Sequence, residues 1–308
     1  MNANYLDALD KLLLMGVSQL SPDLTQLQVR FANEKQLPDG GFRGAMGGAD
    51  LYYTDFGVRL MRLLSDDENV LAPTARWISS LPTDTMTVLE CFSYLNTIRL
   101  LRDCGHHIPL RDAPLIESLR SQQPADGGFA RPGSAEVSAY NTFMAALCFQ
   151  MLKMDFPDAE RAVAAIRNLR RHDGGYCEMP GQPASQTNAT SAAVAFLTMQ
   201  DALEPESTPA SAGFLASMQT SEGGLLAHPT APEADLLSTF TGALTLFGLN
   251  AMDSIHLPSV AGFAGVLQQP RGGFVGFLGH DPTDVEYTYY GVATLALLRA
   301  YVMAVEAG

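Results

Sequence analysis

Gln268-Gln269-Pro270-Arg271-Gly272-Gly273-Phe274, followed after a short polar loop by Asp284-Val285-Glu286-Tyr287-Thr288 and an apolar run from Tyr289 to Leu298, decides how this chain is read. The same order of signals occurs at Gln36-Leu37-Pro38-Asp39-Gly40-Gly41-Phe42 before Asp50-Leu51-Tyr52-Tyr53-Thr54. It occurs again at Gln122-Gln123-Pro124-Ala125-Asp126-Gly127-Gly128-Phe129 before Tyr140-Asn141-Thr142. Weaker copies are Asp173-Gly174-Gly175-Tyr176 before Thr190, and Gln219-Thr220-Ser221-Glu222-Gly223-Gly224-Leu225 before Asp235 and Thr239. The last three steps between the first glycines are about 47 to 49 residues and the first step is nearly twice that, a period that marks a repeat architecture. The long first step leaves room for a copy that has lost its glycines. The segment from Trp77 to Val88, which contains Thr83-Asp84-Thr85-Met86, has the right position and an apolar run after it, making six units in all.

Each unit reads as a tight turn, a polar loop, an inner helix of small and apolar residues such as 142–152 or 239–249, and a more amphipathic helix such as 158–170. Glu160, Arg161 and Arg167 would form the solvent face of that last helix. The glycine pairs let the chain reverse between layers, because glycine adopts positive φ without steric cost. Residues 3–33 form one or two further helices, the second starting at Ser21-Pro22-Asp23, where Ser caps and Pro fits the first turn. Two alternating helix characters predict two concentric layers, with six hairpins closing around an apolar central cavity. The expected fold is all-α, an (α/α)6 barrel in one domain over 1–308, with N-terminal helices in 1–35 and the repeat in 36–308.

Composition agrees with a well-buried globular chain, 47% hydrophobic and 17% charged. A net charge of −14 excludes nucleic acid as a partner, since phosphate binding needs clustered Lys and Arg. No apolar run approaches the roughly 18 residues of a membrane span, and the amphipathic start with Asp7, Asp10 and Lys11 differs from a signal peptide, so a cytoplasmic protein is expected. The four cysteines form no CxxC pair, and Cys91 and Cys148 sit in apolar runs as small buried hydrophobes.

The recurrent QxxDGGF turn before an inner helix resembles the repeat shared by protein prenyltransferase β-subunits and by squalene and oxidosqualene cyclases, a family of (α/α)6 barrels. The resemblance places the reacting groups at the amino ends of the inner helices. In zinc-dependent members the fifth unit supplies D-x-C and the sixth a His before the recurrent Thr. Here Asp235 matches, but Leu237 stands where Cys is needed and Tyr287 where His is needed, so the zinc site is incomplete and no metal or other cofactor is expected. Cyclases of the family use D-x-D-D-T, whose middle Asp is a proton donor. Asp284-Val285-Glu286-Tyr287-Thr288 is similar, with Asp284 and Glu286 as its acids, and Thr83-Asp84-Thr85 resembles the ending of a D-x-D-T-T motif.

Protonating an alkene needs a carboxyl kept neutral by burial, and a lining that stabilises carbocations without attacking them, as aromatic faces do. Tyr52, Tyr53, Tyr140, Phe240, Tyr287 and Tyr289 fall near inner-helix starts and are expected to bind substrate with Asp50 and Asp235. The ordinary alternative for each acid is a helix N-cap. Asp84 is the favoured donor because its neighbours are uncharged, with Glu286 and Asp284 as the second carboxylates. The resemblance implies a metal-independent class II terpene cyclase acting on a hydrophobic isoprenoid, monomeric or homodimeric, with peripheral membrane contact for substrate uptake. A prenyltransferase-like β-subunit without a complete zinc site, and an inert isoprenoid-binding barrel, remain open alternatives.

Overall fold

The computed structural model describes residues 4–65, 67–110, 112–125 and 127–307; Asp126 of the third turn lies outside the described residues. Among them are thirteen α-helices: α1 (Tyr5–Val17), α2 (Pro22–Lys35), α3 (Leu51–Leu64), α4 (Ala72–Ser79), α5 (Val88–Asp103), α6 (Asp112–Ser121), α7 (Ala139–Met151), α8 (Ala159–Arg167), α9 (Thr187–Met199), α10 (Thr208–Ser217), α11 (Leu236–Gly248), α12 (Leu257–Leu267) and α13 (Val285–Ala307). Extended structure among the described residues is two short antiparallel ribbons, β1 (Phe129–Ala130) with β2 (Val137–Ser138) and β3 (Leu225–Leu226) with β4 (Ala234–Asp235), which lead into α7 and α11, and isolated antiparallel bridges such as Gln36 with Phe42 and Phe274 with Asp284. The all-α reading of the sequence is therefore met, and the polar loops are partly small hairpins.

The described residues form two compact units, 6–118 with 265–307, and 4–5 with 119–264. In the first, α3 packs on α5, α13 and α2; in the second, α9 packs on α7 and α11. These inner helices are buried over most of their length, whereas α8 buries only Ala162, Ala165 and Ile166 and exposes Glu160, Arg161 and Arg167. Ser21 caps α2 and Pro22 occupies its first turn, as the sequence indicates. Gly16 of α1 lies so close to α13 that a Cβ there would come within 1.8 Å of the Ala296 carbonyl oxygen.

One hydrogen bond explains the recurrent threonine. In five units the backbone N–H of the residue after the glycine pair donates to the Thr hydroxyl of the following inner helix: Phe42 to Thr54, Phe129 to Thr142, Tyr176 to Thr190 and Leu225 to Thr239 at 2.9 Å, and Phe274 to Thr288 at 3.1 Å. Each turn is thereby locked to its own inner helix, and a buried N–H that would otherwise lack a partner is satisfied. The first glycine of each pair faces the next outer helix. Gly174 has φ +88° and a Cβ would lie 2.3 Å from the Ala210 oxygen of α10; Gly272, at φ +93°, meets Phe31 and Leu27 of α2 in the same way. The last turn thus docks on the first outer helix.

Inner helices begin three residues before the expected 142 and 239, because the Thr sits in the first turn and the caps are Ser138 and Asp235. The glycine-free second unit has a different turn. Thr87 caps α5 and exchanges hydrogen bonds with Glu90 in a capping box, so α5 begins at Val88. One membrane expectation needs correction: Val285–Glu306 of α13 is long and apolar enough to cross a membrane by length and composition. Its most apolar stretch is 61% buried within the protein, as a core helix is.

Candidate functional site

The starts of α3 and α13 bring the site together. Asp50 and Asp284 are N-caps: Asp50 accepts from the Tyr53 N–H at 3.1 Å and Asp284 from the Tyr287 N–H at 2.9 Å. Asp235 caps α11 through the Ser238 N–H at 2.7 Å. These three acids therefore have the ordinary helix-capping role. Burial pushes the Asp284 and Asp235 carboxyls above the usual carboxylate range, against the pull of the backbone N–H groups they cap.

Glu286 is different because the cap is already supplied two residues earlier. Its carboxyl is half-buried in the first turn of α13, where the Tyr52 hydroxyl from the first turn of α3 donates to Oε1 at 2.6 Å. Burial raises its pKa to about 7; the Tyr52 hydrogen bond opposes that rise and the nearby Asp284 charge adds to it. A carboxyl in this state is substantially protonated near neutrality. With Oε1 accepting from Tyr52, the transferable proton belongs on Oε2.

Aromatic side chains continue from this pair. The Tyr52 ring meets Tyr53 at 5.5 Å and Phe56 at 5.0 Å between centroids, and Phe56 meets Tyr289 at 5.6 Å and Tyr290 at 5.3 Å. Two loops cover the helix starts at close range. A Cβ on Gly44 would come within 2.5 Å of the Tyr53 ring, and one on Gly276 within 2.6 Å of the Tyr287 ring. His280 stacks on Phe277 at 4.6 Å and meets the edge of Tyr287 at 5.8 Å. Lys35 ties α2 to the same entrance by donating to the Thr283 carbonyl at 3.0 Å.

Asp84 is not part of this group. It is exposed in the turn before α5, three residues ahead of the Thr87 cap, so the buried setting that a proton donor to an alkene needs is missing. The reason is local: the capping box starts the helix later than the resemblance of Thr83-Asp84-Thr85 to a cyclase motif implies. Tyr140 and Phe240 lie in the other unit. Tyr140 is half-buried, its N–H donating to Glu178 at 3.3 Å, and Phe240 is buried beside Thr239. Glu178 is itself a buried carboxylate held by Arg131 at 3.0 Å and by the Ser138 hydroxyl.

Phe56, Tyr290 and Arg59 of the aromatic cluster are not among the residues singled out in the sequence. The sequence signal for Arg59 is its place four residues after Asp55 in α3, the spacing at which opposite charges pair on one helix face. The residues present do not fit the zinc site of the family. The Asp235 carboxylate is engaged by the Ser238 N–H and, at 2.9 Å, the Ser238 hydroxyl; Leu237 and Tyr287 offer no imidazole or thiolate. Among the described residues no three His, Cys, Asp or Glu side chains are grouped to hold a metal.

An all-α repeat with its polar groups at inner-helix starts is the class of protein defined by this geometry. The model of the prenyltransferase α/α toroid domain matches residues 5–226 and 203–307, and the chain belongs to that family. No curated protein matches the chain significantly in sequence. Among solved structures, Candida albicans protein geranylgeranyltransferase-I complexed with GGPP superposes with a TM-score of 0.71 at 16% identity, covering 89% of this chain and 91% of that chain. A variant of the type II terpene cyclase MstE from Scytonema, in complex with its substrate geranylgeranyl dihydroxybenzoate, gives 0.63 at 14% identity, covering 94% and 99%. An α-1,6-mannanase from Salegentibacter sp. gives 0.57 at 12% identity, covering 91% and 99%. At these identities the likeness is one of fold.

Proposed function

We propose that this protein is a class II terpene cyclase that closes rings in a linear isoprenoid by proton transfer, with Glu286 as the acid and no metal. The supporting observation is the half-buried Glu286 carboxyl, its pKa near 7, hydrogen-bonded to Tyr52 at the head of an aromatic cluster. In this reading Oε2 of Glu286 gives its proton to one carbon of a terminal double bond, whose π pair forms the new C–H bond and leaves a tertiary carbocation. The next double bond attacks that cation and closes a ring. Loss of a proton from the last cation ends the sequence, so product and substrate are isomers and Glu286 is restored by a proton from solvent. The Tyr52 hydroxyl holds the carboxyl in one orientation and, by donating to Oε1, stabilises the carboxylate as the proton leaves. Tyr53 and Tyr287 supply ring faces or edges near the helix starts, while Asp50 and Asp284 hold those starts in place.

The isoprenoid ligands of the geranylgeranyltransferase and of MstE support this class of substrate for the present chain. Between the two chemistries, the missing imidazole and thiolate at Tyr287 and Leu237 favour the cyclase. The test is incubation with linear polyprenyl substrates followed by chromatography and mass measurement. A product of unchanged mass and altered retention, made by the wild type but not by Glu286→Gln, is the expected result.

A further inference from the structure

Tyr52, Phe56 and Arg59 stand at i, i+4 and i+7 of α3 and share one face, which runs about 10 Å along the helix from the Glu286 contact. Arg59 ends that face. Its guanidinium carbon lies 5.0 Å from the Phe56 ring centre, 5.1 Å from Phe92 and 5.5 Å from Tyr289, all within cation–π range. Burial alone would lower the Arg59 pKa, but the Asp55 carboxylate 2.6 Å away more than reverses that, so Arg59 is a fixed cation. Asn96 completes the arrangement by donating to Asp55 at 2.7 Å.

Arg59 and Tyr289 also line a cavity of about 270 Å³, whose other walls include Asp10, Lys11, Arg62 and Arg99. Arg99 is bound there by Asp10 at 2.8 Å and Asp7 at 3.2 Å from α1. The aromatic cluster that begins at the Tyr52–Glu286 contact therefore ends at a permanent cation, and the cavity lined by charged side chains begins beyond it.

We propose that Arg59 is the floor of the site and a specificity-determining residue, limiting how far a carbocation and the chain that carries it advance from Glu286. This rests on the cyclase reading above and adds a product class: isomers with few rings, formed beside Tyr52 and Phe56. Faces of Phe56, Phe92 and Tyr289 that would stabilise a migrating carbocation already hold a guanidinium. A second cation near them meets like charge, and an apolar chain that went further would displace water from the ions of that cavity, Arg99 with Asp7 and Asp10 among them.

The test uses the full-length protein and a series of linear isoprenoids of increasing length, with products resolved by chromatography and mass. Asp55→Asn with Arg59→Met removes both charges together, so that neither is left buried and unpaired. This double variant should raise the ratio of more-cyclised to less-cyclised isomers at least about tenfold, the effect of a ~1.4 kcal/mol change in relative barriers. Arg59→Lys keeps the charge and should keep the wild-type product pattern. Asp55→Asn with Arg59→Gln, which also removes both charges but keeps a polar side chain at each position, reads the same ratio should the first double variant fail to fold. An unchanged ratio in the neutral variants, with a wild type that does cyclise, overturns the role of Arg59 alone; a wild type that yields no isomer from any chain overturns the cyclase reading and this inference with it.

Discussion

Replacing Glu286 by Gln isolates the titration on which the site depends. The carboxyl has a pKa of about 7 in the folded protein against a reference value of 4.5. Below the lower value it is protonated in both states. Between the two, the folded protein keeps a proton that the unfolded chain has released, so stability falls as pH rises, and above about 7 the whole difference, about 3 kcal/mol, has been lost. From about pH 5.5 to about pH 8.5 this one group removes ~2 kcal/mol of stability. Gln has the same shape, still accepts from Tyr52 through Oε1, and has no proton to lose. Denaturant unfolding of both proteins at those two pH values should therefore show Glu286→Gln gaining ~2 kcal/mol relative to wild type on going to the higher pH. Asp235, also raised by burial but not among the groups that act on Glu286, titrates in both proteins and drops out of the comparison. A stability difference that is the same at both pH values would mean that Glu286 titrates as an ordinary surface acid, and the reasoning would be refuted.

The same titration sets catalysis: wild-type turnover should fall as pH rises through about 7, where the donor ionises, which a pH–rate profile measures. Tyr52→Phe removes the hydrogen bond that holds the Glu286 pKa down, so the edge of that profile should move to higher pH while the rate at its plateau drops. Asp84→Asn, at an exposed turn, should change turnover by less than about twofold and stability by less than about 0.5 kcal/mol; a large loss would return Asp84 to the mechanism. Thr142→Val leaves the buried Phe129 N–H without its acceptor and should cost about 1–3 kcal/mol in denaturant unfolding, with little effect on the pH profile.

The fold was legible because each repeated letter has a mechanical duty. The first glycine supplies positive φ and close approach to the next outer helix, as at Gly174 and Gly272, and the threonine closes a hydrogen bond to its own turn. Helix starts were legible too where caps were weighed. Thr87-Val88-Leu89-Glu90 has capping-box spacing in the bare sequence, and it puts α5 too late for Asp84 to stand at the helix start. Similarity of letters around Thr83-Asp84-Thr85 concealed this. The distinction between Asp284 and Glu286 follows from the same logic: the acid at the cap position is used by the backbone, whereas the one two residues later is left to Tyr52. The spacing of Asp55 and Arg59 points to their pairing, but the aromatic surroundings of Arg59 were not legible, because they depend on Phe92 from α5 and Tyr289 from α13 reaching one face of α3.

The central claim is proton-initiated cyclisation without a metal, and the direct measurement is turnover of linear isoprenoids by purified protein with and without EDTA, together with the zinc content of the chain. The account predicts a cyclic isomer of unchanged mass, formed equally in EDTA and lost in Glu286→Gln. One tightly bound zinc per chain with activity abolished by EDTA, or a cyclic product still formed at the wild-type rate by Glu286→Gln, would contradict it.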